Sequence, residues 1–241
     1  MADIISTRLL RSEAVAEGTM AFYFAKPSGF KYRAGQSVDL TLINPSETDA
    51  EGNTRTFTLA SSPFDEDLMI STRIRDTAFK RVLKNASPGL EVKIQGPSGS
   101  FVLHRKTEKT AVFLAGGIGI TPFLSMIRQV THEKTAHHIY LLYSNRRPED
   151  ASFLDVLEET ARRNPNFHLI ATMTKIEASH REWNGETGHI SKKMLTEHLP
   201  QVQGPIYYIA GPPAMVAAIR GILFEAAVEE DDIRTEEFAG Y

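Results

Sequence analysis

The hydrophobic period of the chain changes once, just after residue 104, and this change constrains the fold more than any other feature. Before it, short runs with an apolar side chain at every second position alternate with turns that contain Gly and Pro. That pattern is typical of antiparallel strands, and the close spacing of the turns favours a small Greek-key barrel. The predicted strands cover residues 21–25, 38–42, 57–59, 68–74 and 92–94, and one short helix covers 77–85.

The second half alternates buried strands with amphipathic helices. Such alternation predicts a doubly wound parallel α/β sheet that binds its ligands at the carboxyl ends of the strands. The polar stretch 104–109 separates the halves, so we expect a barrel domain over residues 1–105 and an α/β domain over 106–241. The predicted strands cover 111–115, 139–144, 167–174, 206–210 and 233–238, and the predicted helices cover 122–130, 149–164, 191–198 and 213–229.

Composition excludes several classes of protein. The 241 residues include no cysteine, which removes disulfides, thiol nucleophiles and iron–sulfur clusters, so redox chemistry would need an organic cofactor. The net charge of -3 argues against a nucleic-acid partner, and the histidines lack metal-site spacing. The first twenty residues do not resemble a secretory signal, and glycines and a proline interrupt the uncharged stretch 110–127. We therefore expect a cytoplasmic protein without a metal site or a membrane span.

A glycine-rich turn lies between the first strand and the first helix of the second half. Residues 115–122, AGGIGITP, are a variant of the G-x-G-x-x-G turn. Glycines let backbone N–H groups approach a diphosphate, and the positive end of the following helix favours its charge. A glycine turn needed only for tight packing is the alternative. The candidate coenzyme-binding residues here are Gly116, Gly117, Gly119, Thr121 and Pro122.

Two further loops are expected at the same edge of the sheet. Gly211 and Pro212 follow the fourth strand and, with the first turn, could bracket one dinucleotide. Ser144, Arg146 and Arg147 follow the second strand, where an acidic residue would favour NADH. Arginines can instead bind a 2′-phosphate, which favours NADPH. A solvated basic loop before a helix is the alternative.

The segment 55–63, RTFTLASSP, places a guanidinium, an aromatic ring and a hydroxyl on one predicted strand. Arg55 and Phe57 are expected on one side of the strand and Thr58 on the other, with Thr56 between them in sequence. Such a set can hold a phosphate, cover a planar ring and hydrogen-bond the edge of that ring. An ordinary strand is equally compatible with these residues taken alone.

Taken in order, these motifs resemble those of the ferredoxin:NADP reductase superfamily, flavoenzymes in which a β-barrel FAD domain precedes a nucleotide domain. The resemblance extends over essentially all 241 residues. Arg55-x-Phe57-Thr58 resembles the flavin motif R-x-Y/F-S/T, residues 116–122 resemble the nicotinamide diphosphate turn, and residues 210–212 resemble the later C-G-P turn. The last five residues, EFAGY, are also similar to the end of family members.

The resemblance implies roles for two flavin-binding segments. Arg55 would bind the flavin pyrophosphate, Phe57 would stack on the isoalloxazine, and Thr58 would hydrogen-bond near its N5 atom. The second segment lacks the usual glycines, so the choice between FAD and FMN stays open. Thr77 is expected to cap a helix and to leave the N–H groups of the next two residues free for a phosphate, with an arginine adding charge. A helix cap without a ligand is the alternative. The candidate residues of this segment are Thr72, Arg73, Ile74, Thr77, Ala78 and Phe79.

The carboxyl end is implied to complete the reaction site. Phe238 and Tyr241 would cover the flavin face that nicotinamide must enter, with Glu237 close to the reacting atoms. We therefore expect Thr58, Glu237 and Phe238 as catalytic residues. Ala210 stands where many relatives have a cysteine, so the rate is expected to be lower. An edge strand whose aromatic residues pack on the barrel is the alternative.

The implied activity is an NAD(P)H-dependent flavin oxidoreductase, a monomer or homodimer. Hydride would pass from NADPH or NADH to bound FAD, or less readily FMN, and electrons would then leave singly. The expected acceptor is a separate redox partner such as a ferredoxin, flavodoxin or haem protein, or a small electron acceptor. A free-flavin or ferric reductase, and a non-catalytic nucleotide-binding regulatory subunit, are the alternatives.

Overall fold

The computed structural model of the chain describes residues 4–238, which form two six-stranded sheets. The first sheet is antiparallel, with the strand order β4-β3-β6-β1-β2-β5. The end strands of this order, β4 and β5, lie side by side, so the sheet curves into a barrel. Its strands are β1 (Ile4–Ala16), β2 (Thr19–Ala25), β3 (Ser37–Leu42), β4 (Thr54–Thr58), β5 (Asp67–Arg73) and β6 (Glu91–Ser98), with helix α1 (Ala78–Lys84) before β6.

The longest barrel strand, β1, was not predicted. Its apolar residues are adjacent in sequence instead of alternating, and two register irregularities interrupt its pairing with β2. Those irregularities fall between Leu9 and Arg11 and between Ala14 and Ala16. A β-bulge of this kind shifts the face of every later side chain, which hides a strand from a period-two search.

The second sheet is parallel throughout, with the order β10-β9-β8-β7-β11-β12. The chain builds outward from β7 to β10 and then returns to β11, so the switch point lies between β7 and β11. This confirms the prediction of an antiparallel barrel followed by a doubly wound parallel sheet. The elements are β7 (Ala111–Gly116), α2 (Ile120–Glu133), β8 (Ile139–Asn145), α3 (Leu154–Arg163), β9 (Phe167–Met173), β10 (Glu186–Thr187), α4 (Lys192–His198), β11 (Ile206–Gly211), α5 (Pro213–Glu225) and β12 (Ile233–Glu237).

Helix α3 begins five residues later than predicted. Residues Pro148–Asp150 form a separate 3₁₀ turn, and Phe153 has a left-handed backbone with φ of 62° immediately before the helix. A left-handed residue cannot continue a right-handed helix, so the two segments stay separate. The loop between β8 and α3 is thereby free to contact the barrel.

One of the apolar clusters extends across both domains. Every residue of β7 is buried, and one face of the parallel sheet packs with α2 against the barrel. Met69 of β5 and Phe101 of the linking segment lie in the same cluster as Phe113 and Tyr208 of the sheet. Across the interface between the barrel and the α/β domain, Ser125 of α2 donates a hydrogen bond of 2.5 Å to the carbonyl of Ser61. Among the described helices, none is long and apolar enough to cross a membrane.

Candidate functional site

The two glycine turns meet at the switch point of the parallel sheet. A Cβ atom on Gly119 would lie 2.2 Å from the carbonyl oxygen of Ala210, and one on Gly211 would lie 3.2 Å from the Cα of Gly116. Gly117 has a φ of 53°, in the left-handed region. The glycines are therefore required by the close approach of the turns, which is the packing role that the sequence left open.

The amino end of α2 faces the same edge of the sheet. Its N-cap, Gly119, contributes no side chain, so the first N–H groups of this 14-residue helix are not capped by that residue. Thr121 is buried and donates a hydrogen bond of 3.1 Å to the carbonyl of Ile118, and Pro122 is buried beside it. The N–H of Ile120, the first residue of α2, donates to the carbonyls of Gly117 and Ile118, so the glycine turn runs directly into the helix. A glycine turn that leads into the amino end of a helix is an arrangement that can bind a diphosphate.

Pro212 lies opposite this turn. It precedes the first residue of α5, and its carbonyl accepts a hydrogen bond from Met215, whose sulfur lies over Gly116. Gly116, Gly211 and Pro212 thus lie together at the carboxyl ends of β7 and β11. These turns share one edge, as their positions in sequence predict.

A cleft lies between the barrel and this edge. It combines hydroxyl groups, two cationic side chains and two aromatic rings, a set that fits a planar ring with a polar rim and an attached phosphate. Its volume is about 70 Å³, so a wall residue must move when a three-ring system binds. The wall residues are Thr56, Phe57, Thr58, Ser71, Thr72, Arg73, Lys80, Ile118, Thr121 and Phe238.

Strand β4 alternates as the sequence predicts. Phe57 and Arg55 share one side, where the Phe57 ring packs 5.8 Å from that of Phe79. Thr58 is buried on the other side. The hydroxyl of Thr56 donates a hydrogen bond of 2.5 Å to Asp39 Oδ1.

Arg55 itself is held by the protein. Its Nη2 atom lies 2.7 Å from Glu51 Oε2 and 3.6 Å from Asp49 Oδ1. The guanidinium carbon lies 5.3 Å from the centre of the Phe79 ring. The group expected to bind a phosphate therefore already carries two carboxylate partners.

The second flavin segment is arranged differently from the expectation. Thr77 caps α1, because its Oγ1 accepts a hydrogen bond of 3.4 Å from the N–H of Lys80. The N–H of Ala78, expected to be free for a phosphate, instead donates to Asp49 Oδ2 at 2.9 Å. The side chain of Phe79 is buried, and Ile74 is tied to the barrel because its N–H donates to Gly18 at 2.7 Å.

Arg73 and Arg147 join the two domains. Arg73 Nη2 lies 3.8 Å from Asp150 Oδ1, while Arg147 donates to both oxygens of Asp150, at 2.9 and 3.0 Å, and to the carboxylate of Glu17. Glu17 also donates its N–H to the carbonyl of Glu149 at 2.8 Å. This placement differs from the expectation that Arg147 binds a coenzyme phosphate, because Asp150 and Glu17 already fill its guanidinium.

Arg146 has the accessibility that Arg147 lacks. It is exposed and forms no ion pair with any described residue, and Ser144 lies half-buried at the end of β8. Lys175, which sequence reasoning missed, donates its N–H to the carbonyl of Arg146 at 2.8 Å and is also exposed. Since β8 and β9 are parallel neighbours, the residues after them meet at one edge. This rule could have identified Lys175.

The acidic residue that faces the interface between the two domains is Glu236 and not Glu237. Glu237 is exposed, whereas Glu236 Oε2 is buried without a hydrogen-bond partner among the described residues, and burial raises the pKa of this carboxyl to about 7. Arg234, two residues earlier and so on the same side of β12, reaches Tyr208 and the carbonyl of Val102. Glu236 therefore faces the barrel side of the sheet, and alternation along β12 turns Glu237 away.

Phe238 follows β12 and lines the cleft. Its N–H donates a hydrogen bond of 3.0 Å to the carbonyl of Gly211, so the backbone at Phe238 is held at the end of β11. The other predicted aromatic residue, Tyr241, lies outside the described residues.

Residues 113–221 match the family described as the oxidoreductase NAD-binding domain. The chain is 27% identical to phenol hydroxylase P5 protein of Acinetobacter pittii, over 86% of this chain and 58% of that protein. It is 28% identical to ferredoxin–NADP reductase B of Sorangium cellulosum, over 84% and 79%, and 27% identical to NADH-cytochrome b5 reductase 3 of Mus musculus, over 87% and 78%. The chain thus spans somewhat more than half the length of the first of these relatives.

Solved structures share the fold. A ferredoxin NADP⁺ reductase from Neisseria gonorrhoeae with bound FAD and NADP superposes with a TM-score of 0.81 at 18% identity, covering 98% of this chain and 99% of that one. The cytochrome b5 reductase domain of Ulva prolifera nitrate reductase gives 0.79 at 19% identity, covering 97% of both chains. Both likenesses include the barrel and the parallel sheet.

Proposed function

Because the chain belongs to the ferredoxin–NADP reductase superfamily, we propose that it is an NAD(P)H-dependent flavoprotein reductase. FAD bound in the cleft supplies an acceptor for hydride and a donor of single electrons. The observation that carries the proposal is the composition of the cleft. Phe57 and Thr58 of the barrel face Thr121 and Phe238, which lie beside the two glycine turns.

Each wall of the cleft has its own task. Phe57 would pack against a bound flavin ring, and the buried hydroxyl of Thr58 would donate a hydrogen bond to the edge of that ring. Phe238 would cover the ring and exclude water from it. Glu236, whose pKa of about 7 keeps a fraction of the carboxyl protonated at neutral pH, holds a proton beside the end of β11.

We propose that the coenzyme binds at the edge of the parallel sheet where its strands end. The turns at Gly116–Gly119 and Gly211 would hold its diphosphate, and Arg146 with Lys175 would bind a 2′-phosphate, which favours NADPH. In this proposal the flavin domain covers residues 1–105 and the coenzyme domain covers residues 106–241.

The proposed acceptor is a separate redox protein. Two of the relatives are named after oxygenases. They are phenol hydroxylase P5 protein and the glycine betaine monooxygenase reductase subunit of Chromohalobacter salexigens, and the chain spans 60% of the second. Similarity to such proteins supports an oxygenase component, a ferredoxin, a flavodoxin or a haem protein as the acceptor.

An anaerobic titration tests the function. The protein is loaded with FAD, freed from excess flavin and titrated with NADPH or NADH while the flavin absorbance is recorded. We expect retained yellow colour and bleaching by one equivalent of coenzyme. A protein that neither retains FAD nor reduces added FAD or FMN contradicts the proposal. Rapid turnover of free flavin without retained colour would instead favour the free-flavin reductase.

A further inference from the structure

The loop between β3 and β4 carries carboxylates that bind basic groups beside the cleft. We call residues 47–52, ETDAEG, the acidic loop. Glu47 accepts hydrogen bonds of 3.0 and 3.1 Å from Arg81 Nε, and Asp49 accepts one of 2.9 Å from the N–H of Ala78. Both contacts fix the loop to α1.

The acidic loop also engages the guanidinium of Arg55. The Nη1 atom donates to the carbonyls of Glu51, Gly52 and Thr54, at 2.9, 3.1 and 2.8 Å. The Nη2 atom donates to the Glu51 carboxylate at 2.7 Å, with the Asp49 carboxylate at 3.6 Å. Only one-fifth of the Arg55 side chain is exposed. A phosphate that binds the Nη2 atom must compete with the Glu51 carboxylate that this atom already contacts.

A carboxylate and a phosphate bind a guanidinium with similar geometry and the same sign of charge. They therefore compete for the Nη2 atom of Arg55. The hydrogen bond from Ala78 holds the pKa of Asp49 below its usual value, so this competitor stays charged at neutral pH. Riboflavin has no phosphate, so its binding does not depend on the outcome of the competition.

On the basis of the proposed flavin-binding function, we propose that the acidic loop sets how strongly the site prefers phosphorylated flavins to riboflavin. Asp49 and Glu51 hold Arg55 and thereby weaken the binding of FAD and FMN. The loop is a specificity determinant that acts through Arg55, and it makes bound flavin easier to exchange.

Equilibrium binding of FAD, FMN and riboflavin to the apoprotein, followed by flavin fluorescence, tests this role. The variants are Glu51→Gln and the double variant Asp49→Asn with Glu51→Gln. Glu66→Gln is the matched control, because Glu66 is an exposed barrel acid that forms no ion pair with any described residue. The single variant leaves Asp49 unchanged and therefore keeps its contact with Ala78, which anchors the loop. Most of the Glu51 side chain is solvent-exposed, so its replacement disturbs little packing.

We expect FAD and FMN to bind about tenfold more tightly to the double variant, with riboflavin changed less than twofold. Addition of Arg55→Ala to the double variant should abolish the gain. If wild-type protein binds FAD and both loop variants bind it equally or more weakly, the proposed role of the acidic loop is wrong, while the proposed flavin-binding function stands. If neither wild-type protein nor any variant binds flavin, the proposed function fails as well.

Discussion

Glu236 of β12 lies beside Ala210 of β11 in the parallel pairing of these strands, and its Oε2 atom is buried without a hydrogen-bond partner in the described chain. Desolvation of the charged form raises the pKa of this carboxyl from 4.5 to about 7. Between these two values the folded protein binds more protons than the unfolded chain. The contribution of Glu236 to the free energy of unfolding therefore falls as the pH rises from about 4.5 to 7.

Glu236→Gln should remove this pH dependence. The neutral amide has no charge to desolvate, so we expect the variant to gain as much as about 3 kcal/mol over wild type above pH 7 and little near pH 4.5. Urea unfolding at several pH values measures the difference. Glu237→Gln, at an exposed neighbour, is the control and should follow wild type throughout. Equal pH profiles for Glu236→Gln and wild type would contradict the raised pKa.

The placement of Glu236 shows where sequence reasoning ends. The period change near residue 104 predicts both domains, because periods of 2 and 3.6 reflect which faces are buried. Whether Glu236 or Glu237 faces the barrel depends on the register of β12 against β11, and no local pattern specifies it. Likewise, Arg147 is held by Glu17, 130 residues away, a partner that only the packed domains bring close.

The glycine turn offers a prediction about packing. Gly119→Ala would place a methyl group 2.2 Å from the backbone oxygen of Ala210, so one of the two turns must move. We expect a loss of about 3 kcal/mol in the free energy of unfolding. Gly221→Ala is the matched control, since a Cβ at this position of α5 would meet no described atom within 4 Å apart from the nearby backbone of its own helix. That substitution should stabilise the protein by about 0.5 to 1 kcal/mol.

The proposed coenzyme site makes a prediction about Arg146, the exposed arginine after β8. Arg146→Ala should raise the KM for NADPH by about tenfold or more and leave that for NADH within twofold, because it removes one charged hydrogen bond to the 2′-phosphate. Lys175→Ala should act in the same direction, with a smaller effect. Steady-state reduction of an artificial acceptor with each coenzyme measures both. An equal loss with NADH and NADPH would show that Arg146 does not distinguish them.

Arg147 should contribute to stability instead. Only 7% of the Asp150 side chain is exposed, and Arg147→Ala leaves this carboxylate with Arg73 at 3.8 Å as its remaining cation. We expect a lower free energy of unfolding than that of the wild type, since an incompletely paired buried carboxylate is costly. Arg147→Ala combined with Asp150→Asn should lose less than the sum of the two single changes, because the second change removes the charge that the first left behind. Arg162→Ala, which breaks an exposed pair with Glu159, is the control and should cost less than about 0.5 kcal/mol. Additive losses in the double variant would show that Arg147 and Asp150 stabilise the protein independently.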